Sequence, residues 1–123
     1  MPLRIGTVVL AAALSLAWAG RAAAHAHLAA ATPAMGSTVA SAPAELALDF
    51  SEPVNPGFSG ATVSGPSGAG VPLGQARSGP QGGRTLVLPV AGPLAPGTYR
   101  VDWHALAVDG HKTTGSYGFT IAP

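Results

Sequence analysis

The sequence predicts an all-β fold, a Greek-key β-barrel or sandwich of about seven strands with an immunoglobulin-like arrangement. Seventeen glycines and twelve prolines divide the 123 residues into short segments, which favours strands and turns and excludes long helices. Several of these segments alternate apolar and polar residues with a period of two, as half-buried strands do. There is no cysteine, so we expect the fold to be stabilised by its apolar core without disulfides.

The N-terminus is typical of a secretory signal peptide. Arg4 precedes the apolar run Ile5–Trp18, and Ala22–Ala24 offers small residues for cleavage. The apolar run of about 14 residues is short for a transmembrane helix, which needs about 20. We therefore predict a signal peptide at 1–24 and one exported domain at 25–123, located in the periplasm or on the extracellular face. Cleavage after Ala26 also fits the pattern and stays open.

Seven strands are predicted, and in chain order they are Leu28–Ala31, Glu45–Phe50, Ala61–Ser64, Val71–Leu73, Thr85–Val90, Thr98–Leu106 and Gly115–Ile121. The clearest alternation lies in Thr98–Leu106, where Tyr99, Val101 and Trp103 share the face predicted to be buried. The stretch 65–83 is rich in Gly, Pro and Ser and is predicted to be a loop, within which Val71–Leu73 pairs.

Charge excludes one class of function. Without residues 1–24 the chain has four basic and five acidic residues, a net charge of minus one with neutral histidines. Nucleic-acid binding requires a basic patch, which this balance does not supply.

Cleavage after Ala24 makes His25 the first residue, with a free α-amine and an imidazole that can chelate one metal ion. Between the last two predicted strands, Gly110 permits a tight turn that can bring Asp109 and His111 together. With His25 they form an N₃O ligand set, which suits copper(II). The Asp-x-His spacing alone is more typical of a capped turn with a solvated histidine.

His27 offers a competing copper site. As the third residue of the mature chain, its imidazole can complete a square plane with the terminal amine and two deprotonated backbone amides. That mode needs only a flexible terminus. The alternative role for His27 is a neighbour in the outer shell of a site built by His25 and the distant turn. His104, on the opposite strand face from Trp103, is expected to be a surface residue.

Motifs along the whole domain resemble the CopC copper-resistance family. The matching segments are His25–Leu28, Ala31–Pro33, Leu48–Pro53, Pro93–Tyr99, Val101–Trp103, Val108–Lys112 and Gly115–Phe119. The resemblance implies a Greek-key β-barrel with one copper(II) per chain at one end, bound by His25, Asp109 and His111. It also places Glu52 near this site, in the outer shell or as an occasional ligand.

The resemblance further implies a monomeric, non-enzymatic protein that stores copper or delivers it to an inner-membrane copper transporter. The mature chain departs from relatives that bind copper(I) through a Met-rich loop, because Met35 is its one methionine. Two alternatives remain: an oxidative copper enzyme with a terminal histidine, and a copper-free structural sandwich domain.

Overall fold

The computed structural model describes residues 26–123, so the predicted signal peptide and His25 lie outside the described residues. Within them no helix is long and apolar enough to cross a membrane. Nine strands follow one another along these residues: β1 (Leu28–Thr32), β2 (Thr38–Val39), β3 (Glu45–Phe50), β4 (Gly60–Ser64), β5 (Gly70–Val71), β6 (Arg77–Ser78), β7 (Thr85–Pro89), β8 (Gly97–Leu106) and β9 (Lys112–Ile121).

The strands form two sheets, which confirms the predicted all-β sandwich. One sheet has the order β1-β3-β7-β6 and the other β2-β9-β8-β4-β5. All pairings between named strands are antiparallel except that of β2 with β9, which is parallel. The core lies between the sheets and draws buried side chains from both, including Leu46 and Leu48 of β3 and Val101 of β8.

The β8–β9 hairpin carries the candidate site. Its ten residue pairs run from Gly97 opposite Ile121 to Leu106 opposite Lys112. The alternation predicted for β8 is confirmed, because Tyr99, Val101 and Trp103 are buried whereas the side chains between them are half-buried or exposed. A long, regular hairpin of this kind holds the loop at its end, residues 107–111, in a defined place.

Two short strands, β2 and β6, were not predicted. Each has two residues, too few for any periodic pattern, and each pairs with a long neighbour. The sequence also predicts that Thr85–Val90 alternates, with Leu86, Leu88 and Val90 on the buried face. This pattern is wrong for the outer face, since Thr85 to Leu88 are all buried. Gly79 continues the pairing of β6 with β7, because its N–H donates to the carbonyl of Thr85 at 2.8 Å. On the outer face Thr85 also donates its Oγ1–H to Asp49 Oδ1 at 2.6 Å.

Aromatic pairs fill the two ends of the core. Phe50 meets Trp103 edge to face with ring centroids 5.3 Å apart, and Tyr99 stacks on Phe119 at 5.5 Å. Tyr117 contributes its ring to the same core. Among the described residues its buried hydroxyl has no hydrogen-bond partner, and burial raises the pKa of Tyr117 to about 12.

Candidate metal centre

The loop between β8 and β9 is shaped by a glycine and an aspartate. Gly110 has a φ of +94°, a left-handed conformation that glycine adopts without steric cost. Its N–H donates to the carbonyl of Ala107 at 2.9 Å, and the N–H of Ala107 donates to the carbonyl of His111 at 2.9 Å. Asp109 Oδ1 accepts the N–H of His111 at 3.1 Å, an Asx-type turn that aims the carboxylate at residue 111.

The same turn brings two predicted copper ligands together. Asp109 Oδ2 lies 3.2 Å from His111 Nδ1, and the two side chains are 42% and 57% exposed. Neighbouring ligands of one metal ion lie roughly 3 Å apart, so Asp109 Oδ2 and an unprotonated Nδ1 of His111 can bind the same ion. An imidazole beside a carboxylate is a donor pair that suits copper(II), and its exposure allows a metal to enter and leave.

Residues 26 and 27, which follow His25, form hydrogen bonds with two different parts of the fold. Thr113, two residues beyond His111, donates its Oγ1–H to the carbonyl of Ala26 at 2.7 Å. The N–H of His27 donates to Ser51 Oγ at 3.1 Å, and the N–H of Ser51 donates to the carbonyl of His27 at 2.9 Å. Residues 26 and 27 are therefore held between the start of β9 and the end of β3, beside the Asp109–His111 turn.

The two residues predicted for the outer shell lie at this same end of the sandwich. His27 is exposed, and its Nδ1 lies 3.4 Å from Ser51 Oγ. Glu52 is half-buried in the segment after β3. The next residue, Pro53, accepts the N–H of Val108 at 3.2 Å, which places the Glu52 backbone alongside the loop that carries Asp109.

His104 takes no part in this cluster, as expected of a surface residue. His104 is exposed on β8 and packs over Gly60, where an added Cβ would lie 3.2 Å from its Cε1. Within residues 26–123 no three His, Asp or Glu side chains come close enough together to hold a metal ion. The described part of the chain thus supplies two of the three predicted ligands, and the third, His25, lies outside it.

Sequence reasoning missed Thr113 and the role of Ser51. Both are common surface residue types, and the Thr113 bond joins positions 87 residues apart. No local pattern signals such a contact. The nearest clue is the position of Thr113, directly after the Asp109–Lys112 motif and at the start of a strand.

The chain is similar to one protein family in both its sequence and its fold. A model of the CopC domain matches residues 28–122. Protein YobA of Escherichia coli K12 is 46% identical over 98 residues, which cover 80% of this chain and 79% of that protein. Copper resistance protein C of Pseudomonas syringae pv. tomato is 41% identical over 103 residues, covering 80% and 81%. The crystal structure of CopC from Methylosinus trichosporium OB3b superposes with a TM-score of 0.74 at 33% identity, covering 80% of this chain and 95% of the other.

A further relative is much longer. Copper transport protein CutJ of Bacillus subtilis is 30% identical over 98 residues, which make up 80% of this chain and 18% of CutJ. A domain similar to this one is therefore one part of a larger protein that is named for copper transport.

Proposed function

The chain belongs to the CopC family, whose members are copper-binding resistance proteins and not enzymes, and on this premise we propose that it binds one copper(II) ion through His25, Asp109 and His111. Copper is the cargo of such a protein. It passes from one set of ligands to another, and no covalent bond of a substrate is made or broken. Family membership sets aside the oxidative enzyme and the copper-free structural domain as alternatives.

The observation that carries this proposal is the junction between the Asp109–His111 turn and residues 26–27. Thr113 and Ser51 bind the backbone of these two residues beside the turn. Consecutive Cα atoms are about 3.8 Å apart, so the residue that precedes Ala26 cannot lie far from it. A terminal amine and imidazole there complete the N₃O set with Asp109 and His111.

The burial of Ala26 supports cleavage after Ala24. Its side chain is 0% exposed and belongs to the core cluster. Cleavage after Ala26 removes this residue and the carbonyl that Thr113 binds. A mature chain that begins at His25 keeps both. The mass of the exported protein tests this directly, since the two cleavage sites differ by one histidine and one alanine.

The hydrogen bond of the His27 amide weighs against the competing site. A square plane formed by the first three residues requires that the amide nitrogens of Ala26 and His27 lose their protons to copper. In this structure the His27 N–H already donates to Ser51 Oγ at 3.1 Å. Wrapping the terminus around copper breaks this bond, whereas coordination by His25 and the turn leaves it in place.

Delivery to a membrane copper transporter is the proposed fate of the metal. Two features support it: Asp109 and His111 are exposed at one end of the sandwich, where an acceptor can reach them, and CutJ contains a similar domain within a longer copper transport protein. Export to the periplasm or the extracellular face follows from the predicted signal peptide.

The proposal is tested by copper(II) EPR on the mature protein at neutral pH, with copper added in steps. We expect one copper per chain and hyperfine couplings from nitrogen ligands. If copper binds without nitrogen couplings, the histidines are not its ligands. If no copper binds, the proposal is wrong altogether.

A further inference from the structure

We propose that Thr113 is a positioning residue for the copper site, because its bond to the carbonyl of Ala26 fixes the peptide that directly follows His25. Ser51 contributes from the other side. This inference rests on the proposed function, since Thr113 can position a ligand only if His25 binds copper.

The contact made by Thr113 is short, partly buried and anchored in rigid structure. Its Oγ1–H donates to the carbonyl of Ala26 at 2.7 Å. Thr113 is the second residue of β9 and pairs with Ala105 of β8 within the ten-residue ladder of the hairpin. The hairpin also carries Asp109 and His111 at its tip. One rigid element therefore fixes two metal ligands and the peptide that follows the third.

The side chain of Ala26 adds a second restraint. It is 0% exposed, so residue 26 is held by packing as well as by its carbonyl. The backbone of His27 then exchanges two hydrogen bonds with Ser51, at 3.1 Å and 2.9 Å. Residues 26 and 27 are therefore fixed both by packing and by hydrogen bonds to Thr113 and Ser51. A terminus without these bonds has to be ordered when the metal binds, and that ordering opposes binding.

Two substitutions separate the hydroxyl from the bulk of the threonine. Thr113→Val keeps the shape and removes the donor, whereas Thr113→Ser keeps the donor. Thr114→Val is the matched control, because Thr114 is exposed on the opposite face of β9. Ser51→Ala is a second, independent probe that removes the acceptor of the His27 N–H.

The experiment compares these variants of the mature protein, with His25 as the first residue. Copper(II) affinity is measured by competition with a chelator of known affinity, alongside the EPR spectrum and the thermal midpoint of the metal-free protein. We expect Thr113→Val to bind copper about tenfold more weakly, as is typical when support for a metal ligand is lost. The EPR lines of Thr113→Val should also broaden. Thr113→Ser should restore most of the copper affinity, and Thr114→Val should bind copper as the wild type does. Ser51→Ala should weaken binding in the same direction, which keeps the test valid if Thr113→Val does not fold.

The outcomes are distinguishable. If the wild type binds copper through nitrogen and Thr113→Val binds it equally well, the positioning role is wrong while the proposed function stands. If Thr113→Ser is as weak as Thr113→Val, the hydroxyl is not responsible and the inference is also wrong. If the wild type takes up no copper, the proposed function fails and this inference fails with it.

Discussion

Adding one methyl group at Gly115 should destabilise the domain strongly. Gly115 of β9 lies opposite Trp103 of β8, and the indole ring covers it. A Cβ at this position would lie 2.5 Å from Trp103 Cζ2 and 2.7 Å from Cε2. Carbon atoms in contact are ordinarily about 3.5–4.0 Å apart, so the ring has to move by roughly 1 Å.

The indole has little room for that movement, because Phe50 packs against it with ring centroids 5.3 Å apart. Overpacking of a core costs about 1–3 kcal/mol, and we expect about 2 kcal/mol for Gly115→Ala. For a domain of this size that corresponds to a fall in Tm of about 8–16 °C. Backbone strain does not add to this cost, since the φ of Gly115 is not positive.

Thermal unfolding followed by far-UV circular dichroism measures the effect. The fluorescence of Trp103, the one tryptophan outside the predicted signal peptide, reports the displaced ring. Gly70→Ala and Gly92→Ala are matched controls, because both positions have open space around the added Cβ and neither has a positive φ. Each control should stay within about 0.5 kcal/mol of the wild type. A Tm for Gly115→Ala equal to that of the controls refutes the predicted clash.

Three further outcomes are expected. Asp109→Ala and His111→Ala should each lower copper affinity and alter the EPR spectrum, whereas His27→Ala should change little; the reverse order favours the square-planar terminal site. Copper should leave below about pH 5, because protons compete for the nitrogen ligands, and an unchanged nitrogen-coordinated spectrum at pH 4 contradicts this. Burial raises the pKa of Tyr117 to about 12, so the folded state should lose stability between about pH 10 and 12, where the unfolded tyrosine ionises first. In Tyr117→Phe this part of the loss of stability at high pH should be absent, which urea unfolding at pH 8 and pH 11 can measure. If the variant loses as much stability as the wild type, Tyr117 is not the cause.

The long strands were predictable because each has one face in the core. In β8 and β3 the apolar residues recur at every second position, and the structure buries those residues. Where that condition fails, the prediction fails as well. Thr85 and Val87 lie on the outer face of β7 and are nevertheless buried. The first three residues of β9, Lys112 to Thr114, are polar and were expected to precede the strand.

The closeness of Asp109 and His111 was predictable from the sequence, and the hydrogen bond that holds residue 26 was not. Asp-Gly-His is a local pattern, and the structure brings Asp109 Oδ2 to 3.2 Å from His111 Nδ1 as expected. The bond from Thr113 to Ala26 depends on how the two sheets come together at one end of the sandwich. Such a contact is set by tertiary packing, which no local sequence pattern encodes.

The most direct test of the copper site is a comparison of two mature proteins, one that begins at His25 and one that carries a single glycine before it. Both are titrated with copper(II) in competition with a chelator, and their EPR spectra are recorded. Because the extra residue turns the His25 amine into an amide, we expect a sharp loss of affinity and a change in nitrogen coordination. Equal affinities with identical spectra would contradict a site built on the terminal amine.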